Sequence, residues 1–299
     1  MDRSGFASEW SHRERGRLDA IPVFYSPEQV AEPQGASPSA SKPRQVLESW
    51  QARGFPIEVL EPRPVTADDL ALAHDWRYVD DVLSLRAPNG FGNRNASVAR
   101  SLPWTSGSML SAALAALDSR LVACAPCSGF HHARYDEGAG FCTFNGLMVA
   151  ALKLRALGRV ARIGILDCDQ HYGDGTDEII DRKAAGGWIR HVTALRGYRR
   201  EAKPFLDALP GLVASFVGCD LLLYQAGADP HVDDPLGGFL DDDQLAERDR
   251  IVFRETRRLG IPVAWNLAGG YQDPLRNVLD IHDRTMRECV EVYVGLRAS

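Results

Sequence analysis

Asp167-Cys168-Asp169-Gln170-His171 closes an apolar run, Arg162-Ile163-Gly164-Ile165-Leu166, and leads straight into Tyr172-Gly173-Asp174-Gly175. An apolar run that ends in turn residues reads as a buried strand opening into a cleft. Residues two apart on a strand share a face, so Asp167, Asp169 and His171 can project together. Two carboxylates and an imidazole are costly to desolvate unless something compensates them, and a divalent cation would do so. The plain alternative is a strand end capped by solvated acids, and this short motif alone does not choose between the two.

The same placement recurs along the chain. A strand-like run at 121–125 is followed by Ser128-Gly129-Phe130-His131-His132, one at 220–226 by Gly227-Ala228-Asp229-Pro230, and one at 262–268 by Gly269-Gly270-Tyr271. A lone His pair is more often structural, and Gly-Gly-Tyr is more often a turn. Four reactive segments at corresponding strand ends argue for a shared site. Asp169, His171 and Asp229 would supply three oxygen and nitrogen ligands and leave a position open, as in catalytic rather than structural zinc sites. Zinc lowers the pKa of its water from about 16 toward about 7 and polarises a carbonyl. Of the tandem imidazoles, one can take a proton from water while the other stabilises charge or protonates a leaving amine. Each needs a carboxylate to fix its tautomer, and Asp167 and Asp174 are the nearest unassigned acids. The Tyr271 phenol can donate to a developing oxyanion. Together these parts suit hydrolysis of an amide.

The elements that must position them alternate. Between or after the strand candidates at 121–125, 162–169, 191–195, 220–226 and 262–268 lie segments with helical spacing at 107–117, 144–157, 202–216, 240–259 and 275–296. Continuous apolar strands alternating with helices predict an α/β protein with a mostly parallel sheet covered on both faces. Sites in such sheets gather at the carboxyl ends of the strands. The one break in composition, 26–42, is rich in Pro, Ser, Gly and Ala and reads as a surface loop, not a linker. The expected organisation is a loose arm at 1–20 and a single catalytic domain at 21–299.

Composition narrows the classes. The 299 residues are 45% hydrophobic and 25% charged, enough for a large core with an ordinary surface. A net charge of −6 argues against direct nucleic-acid binding and mildly favours cationic substrates. The acids at 233–234 and 241–243 would add to that preference at a pocket mouth, although the second group reads more simply as a helix N-terminus. No apolar stretch approaches the ~20 residues needed to span a bilayer, and the polar N-terminus has no secretory h-region, so a cytoplasmic protein without a membrane partner is expected. The six cysteines are too scattered for a disulfide scaffold. Cys124-Ala125-Pro126-Cys127 forms a C-x-x-C, but Cys124 sits in an apolar run, so buried, inert thiols are favoured over redox chemistry.

The motifs together are similar to those of the histone deacetylase and acetylpolyamine amidohydrolase family. The matching stretches are Gly129-Phe130-His131-His132-Ala133, Gly140-Phe141-Cys142-Thr143-Phe144-Asn145, Asp167 through Thr176, Gln225-Ala226-Gly227-Ala228-Asp229, Asp234-Pro235-Leu236-Gly237 and Gly269-Gly270-Tyr271. They occur in the family's order over about 121–271, and the region before them matches loosely. The resemblance implies a single-domain, three-layer α/β/α arginase-like fold. It implies one zinc ion on Asp169, His171 and Asp229, and a potassium ion near the Asp167–His171 segment through backbone carbonyls and Asp167. It further implies His132 as general base and acid oriented by Asp174, His131 as electrostatic partner oriented by Asp167, and Tyr271 as carbonyl polariser. Phe141 would line a substrate tunnel, with Gly140, Gly269 and Gly270 beside it.

The chain departs from the family pattern in three places. Tyr172 follows the ligand His where many members carry a second His, and Ala268 replaces a glycine before the Tyr. The long Gly- and Asp-rich loop expected after 191–195 is reduced to Arg196-Gly197-Tyr198-Arg199-Arg200, which predicts a wider entrance with Tyr198 or Arg199 near its rim. The expected activity is removal of an acetyl or related acyl group from an amine: a lysine side chain, a polyamine or a small metabolite. The alternatives are a binuclear manganese ureohydrolase of the arginase type and a catalytically silent acyl-lysine-binding protein. The segment at 275–296, apolar on one side, would dock on its own domain or on a second subunit.

Overall fold

The computed structural model describes residues 17–32, 37–198 and 200–295. Most of the expected arm, and Arg199 at the expected rim, lie outside them. Of the arm's remainder, Leu18 is buried and its backbone N–H donates to Tyr293.

Seven strands form one all-parallel sheet. In chain order they are β1 (Ile21–Phe24), β2 (Ile57–Leu60), β3 (Val122–Ala125), β4 (Ile163–Asp167), β5 (Ile189–Thr193), β6 (Leu221–Gly227) and β7 (Val263–Ala268). Their spatial order is β2-β1-β3-β7-β6-β4-β5, every pair parallel. The central strands are apolar throughout because both of their faces are covered. Val122 and Cys124 of β3, Leu166 of β4 and Leu222, Tyr224 and Ala226 of β6 point into one core cluster. Ala123 and Ala125, Ile163 and Ile165, and Leu221 and Leu223 point into the other. The period-two alternation of a strand thus sends neighbours to opposite cores. Each fully buried Ile or Leu contributes about 1.5–3 kcal/mol, so burial on both faces, more than pairing, holds these strands in place.

The first core lies under α1 (Lys42–Ala52), α7 (Ala202–Ala214), α8 (Asp242–Leu259) and α9 (Arg276–Tyr293). The second lies under α2 (Ala67–Ala73), α3 (Trp76–Leu83), α4 (Ala96–Ser119), α5 (Gly146–Ala156) and α6 (Asp174–Arg182). This is the expected three-layer α/β/α architecture. None of the described helices is long and apolar enough to cross a membrane. α9 packs on α8 and α1 of its own chain, which is the first of the two expected docking modes.

Several boundaries differ from the sequence reading. β1 and β2 went unread: β1 is a four-residue strand containing a proline, and β2 is an edge strand whose residues are half-buried or exposed. α4 starts eleven residues before the expected 107, running through Pro103. β5 begins two residues early, at Ile189, because it pairs with β4 from Ile163 onward; this puts His191 inside a strand. α8 is capped by Asp241, whose side chain accepts the Gln244 N–H at 2.8 Å, with Asp242 and Asp243 in the first turn. That is the helix-terminus reading of the acidic cluster. The surface loop expected at 26–42 does not describe its residues Ser26, Gln29, Ser37, Ser39 and Lys42, all of which are buried. The polar content that suggested solvent exposure is spent on contacts inside the protein.

Candidate active site

Strands β3, β7, β6 and β4 are consecutive in the sheet, and the loops leaving their carboxyl ends converge. Asp169 and His171 follow β4 and Asp229 follows β6, with Asp167 directly opposite Gln225 across the pair. His171 Nδ1 stands 3.1 Å from Asp169 Oδ1 and 3.0 Å from Asp229 Oδ2. One ligand atom from each of the three residues lies within 4.8 Å of the other two, and among the described residues this is the one group of three or more His, Cys, Asp and Glu so arranged. Asp169 and Asp229 are buried while His171 is partly exposed, so solvent reaches the trio from the His171 side.

The titration behaviour of the trio without an ion tests whether a cation fits. Hydrogen bonds to Asp169 and Asp229 raise His171 to about 10. Burial, then the charge of Asp169, pushes Asp229 up to about 7. The trio therefore holds protons where a metal would supply positive charge. Three oxygen and nitrogen donors with one side open is the donor set of a catalytic metal site.

Each histidine of the tandem pair has its own acid. His131 Nδ1 is 2.7 Å from Asp167 Oδ2, and His132 Nδ1 is 2.7 Å from Asp174 Oδ1; the two rings are 4.0 Å apart. Their surroundings separate them. Burial disfavours charge on His131, but Asp167 and Asp169 outweigh it and raise the imidazole to about 9. His132 is lowered below its ordinary value, first by burial and then by the neighbouring His131 charge. Without an ion in the trio, the inner imidazole therefore favours its charged form and the outer one its neutral form, the division that separates an electrostatic group from a base. Asp174 is itself held by Arg134 at 2.7 Å. Asp167 Oδ1 accepts the Asp169 N–H and the Gln225 amide, each at 3.0 Å.

Tyr271 closes the opposite wall. Its backbone N–H donates to Asp234 Oδ2 at 2.8 Å, while Asp234 Oδ1 accepts the Leu236 N–H at 2.9 Å. Asp234 is therefore a buried anchor for the tyrosine loop and not a solvated acid. The Tyr271 hydroxyl engages Ser39, and burial followed by the charges of Asp169 and Asp229 keeps the phenol protonated. Its ring stands 5.7 Å from Phe141, which in turn is 5.7 Å from Phe91. Phe130 and Phe141, flanking the His pair, both have positive φ (91° and 65°). This is the sparsely populated backbone that tends to collect at functional sites.

The glycines expected to bind substrate serve packing first. Gly269 has φ of 49°, and a Cβ there would lie 2.3 Å from the Asp229 carboxyl, so the loop can pass the ligand only without a side chain. A Cβ on Gly140 would meet His132 Cδ2 at 2.5 Å, and one on Gly270 would meet Val278 Cγ1 at 2.5 Å.

The sequence reading missed three contributors. Lys42, wholly buried at the start of α1, donates through Nζ to the Gly269 carbonyl and faces Asp229, Asp169 and Asp234; burial lowers it to about 8. Arg248, also fully buried, donates to the carbonyls of Cys168 (3.2 Å) and Gly227 (2.6 Å) and so clamps the ends of the two ligand-bearing strands. His191 faces Asp167 from β5. In sequence no motif marks any of the three. In the shortened segment after β5, Tyr198 packs edge-on against Phe205 at 5.5 Å, and Arg200 donates to the Gly238 carbonyl. Cys124 and Cys127 are buried, and burial raises both thiols, Cys127 to about 12, which removes them as reactive groups.

The histone deacetylase domain matches residues 38–189, which include both histidines of the tandem pair, Asp167, Asp169, His171 and Asp174. An uncharacterised protein of Picosynechococcus sp. is 30% identical over 262 residues, 80% of this chain and 87% of that protein. An acetylpolyamine amidohydrolase of Burkholderia pseudomallei is 33% identical over 165 residues, 43% of this chain and 47% of that protein. The crystal structure of acetylpolyamine aminohydrolase from that organism superposes with a TM-score of 0.70 at 20% identity, covering 92% of this chain and 100% of the other, and so shares the fold. The chain belongs to the histone deacetylase family.

Proposed function

We propose that the protein is a zinc-dependent deacylase that hydrolyses the amide of an acylated amine. The observation that carries this reading is the pair of His–Asp dyads, each closed at 2.7 Å, beside the Asp169–His171–Asp229 trio. The trio would hold the metal, which when bound acidifies a water and polarises the acyl carbonyl. His132, neutral near pH 7, accepts the water's proton at Nε2 while Asp174 fixes its Nδ1–H. His131, charged and held by Asp167, stabilises the negative charge that develops on the acyl group. Tyr271 donates its hydroxyl proton in a hydrogen bond to the acyl oxygen. The proton held on His132 then passes to the departing amine nitrogen. Phe141 and Phe91 flank the acyl-bearing stem and exclude water from it. Family relatives named for acetylpolyamine hydrolysis support an acylated amine as substrate.

The single metal-ligand trio among the described residues favours one metal over the two of a ureohydrolase, and a full complement of acid, base and phenol speaks against a silent binding protein. A potassium ion near the Asp167–His171 segment, held through backbone carbonyls and Asp167, belongs to the same proposal. Six unpaired cysteines suit a cytoplasmic setting. The test is turnover of a panel of acetyl-lysine peptides, acetylpolyamines and longer acyl amides, with and without a hydroxamate chelator. No hydroxamate-sensitive hydrolysis of any member by zinc-loaded protein would overturn the reading.

A further inference from the structure

Behind the inner dyad lies a row of polar groups that the mechanism above does not use. Asp167 Oδ2 faces His131 on one side; on the other stands His191 Nε2, at 3.9 Å. That nitrogen is buried and has no hydrogen-bond partner in the structure, the Asp167 carboxylate standing just beyond reach. His191 Nδ1 is 2.7 Å from Asp177 Oδ1, and the second oxygen of Asp177 accepts the Tyr172 hydroxyl. The row runs from the interior outward: the side chains of Asp167 and His191 are 0% and 3% exposed, that of Asp177 40%. Tyr172 lies at the surface with Arg196 stacked over its ring.

The local chain is shaped around this contact. A Cβ on Gly173 would come within 2.7 Å of Asp167 Oδ2 and 2.9 Å of His191 Cε1, so the glycine keeps open the gap through which imidazole and carboxylate face each other. A histidine that merely tied β5 to α6 would need only Asp177. Leaving its other nitrogen buried costs roughly 1–3 kcal/mol unless a partner answers it, and the acid it faces, 3.9 Å away, is the carboxylate that orients His131. Tyr172, the departure from the family pattern beside the ligand His171, latches the far end of the row.

We propose that His191 is a positioning residue for catalysis: aligned by Asp177 and Tyr172, its Nε2–H holds the Asp167 carboxylate in the orientation from which Asp167 fixes His131. This rests on the assignment of the His131–Asp167 dyad made above. Partners at this remove from the reacting atoms typically matter by about 10–100-fold.

Two amide variants divide the imidazole. His191→Gln places an N–H near the Nε2 position, whereas His191→Asn reaches only the Nδ1 level and keeps the Asp177 contact alone. On zinc-loaded full-length protein, His191→Asn should lower kcat about 10–100-fold, with KM and metal content unchanged, and His191→Gln should restore most of it. The downfield proton resonance of His131 Nδ1–H should move upfield in the Asn variant and stay in place in the Gln variant. Equal rates and an unmoved resonance in the Asn variant would overturn the proposal, as would equal loss in both variants. Should the Asn variant fail to fold by circular dichroism, surface Tyr172→Phe should lower kcat at unchanged KM and shift the same resonance; wild-type behaviour in both readouts would overturn the proposal equally. Asp167→Asn and His131→Ala serve as controls. If these are fully active, the dyad assignment fails; if they are crippled while His191→Asn is not, only the inference fails.

Discussion

Replacing Asp174 by Asn changes one charge without changing shape, which makes it the sharpest probe of how the outer dyad works. In the native arrangement the carboxylate accepts from His132 Nδ1 at 2.7 Å and from Arg134 at 2.7 Å, with its side chain 31% exposed. A hydrogen bond to a charged acceptor is worth about 1.5–3 kcal/mol. Partial exposure and the competing guanidinium place this one toward the lower end, about 1.5–2 kcal/mol, which is about 10–30-fold in rate. The pH dependence should also move. His132 lies below its ordinary value because burial and the His131 charge outweigh the pull of Asp174. Removing the Asp174 charge lowers the imidazole further. Since the base must be neutral, the acid limb of kcat/KM shifts to lower pH while the plateau falls. Initial rates on the best substrate of the panel across about pH 5 to pH 9, at fixed ionic strength and full metal loading, measure both. An unchanged plateau, or an acid limb that moves upward, would refute the assignment of His132 as a base tuned by Asp174.

Tyr271→Phe should slow turnover by about 10²–10³ while metal content stays at the wild-type level; wild-type rates would remove the phenol from the mechanism. Asp229→Ala should bring metal content, read by atomic emission after desalting, to background. Metal uptake by the apo-protein should release protons and strengthen as pH rises from about 6 to about 9, because His171 and Asp229 are raised in the absence of an ion and must lose their protons to bind one; an affinity flat across that range would contradict the ligand set. Lys42→Met should lower stability by about 1–3 kcal/mol in urea unfolding, since it strands the Gly269 carbonyl and removes the cation facing three acids.

Which features the sequence revealed follows from how each is encoded. The metal-ligand trio, the tandem histidines and Tyr271 sit just past the ends of strands whose apolar runs are unmistakable, so strand periodicity alone brings them to one edge of the sheet. The three layers follow from the same alternation. Residues that act from a distance in the chain left no such mark. Lys42 opens a helix after a Pro- and Ser-rich stretch that looks solvated, yet its charge is wholly buried against the Gly269 carbonyl. Arg248 stands among nine other charged residues of α8, and only packing picks out Arg248 and its neighbour Asp249 as the pair turned inward. The boundary of β5 hid His191: read as the first residue of a strand, it becomes the third once the pairing of Ile163 with Ile189 is known. α6 was obscured because its first turn, Asp174 to Asp177, is also the catalytic motif.

The ligand-bearing ends of β4 and β6 are side by side only because Ile163 through Asp167 pair in register with Leu221 through Gln225. Asp169 and Asp229 are far apart along the chain, and a slip of one residue in either strand would turn Asp169 away from Asp229. The trio is therefore complete only once these central strands have paired. Stripping the ion should leave a chain that keeps its shape and reloads on demand, and the loading kinetics of freshly renatured protein would serve as a clock for completion of the central strand pairing.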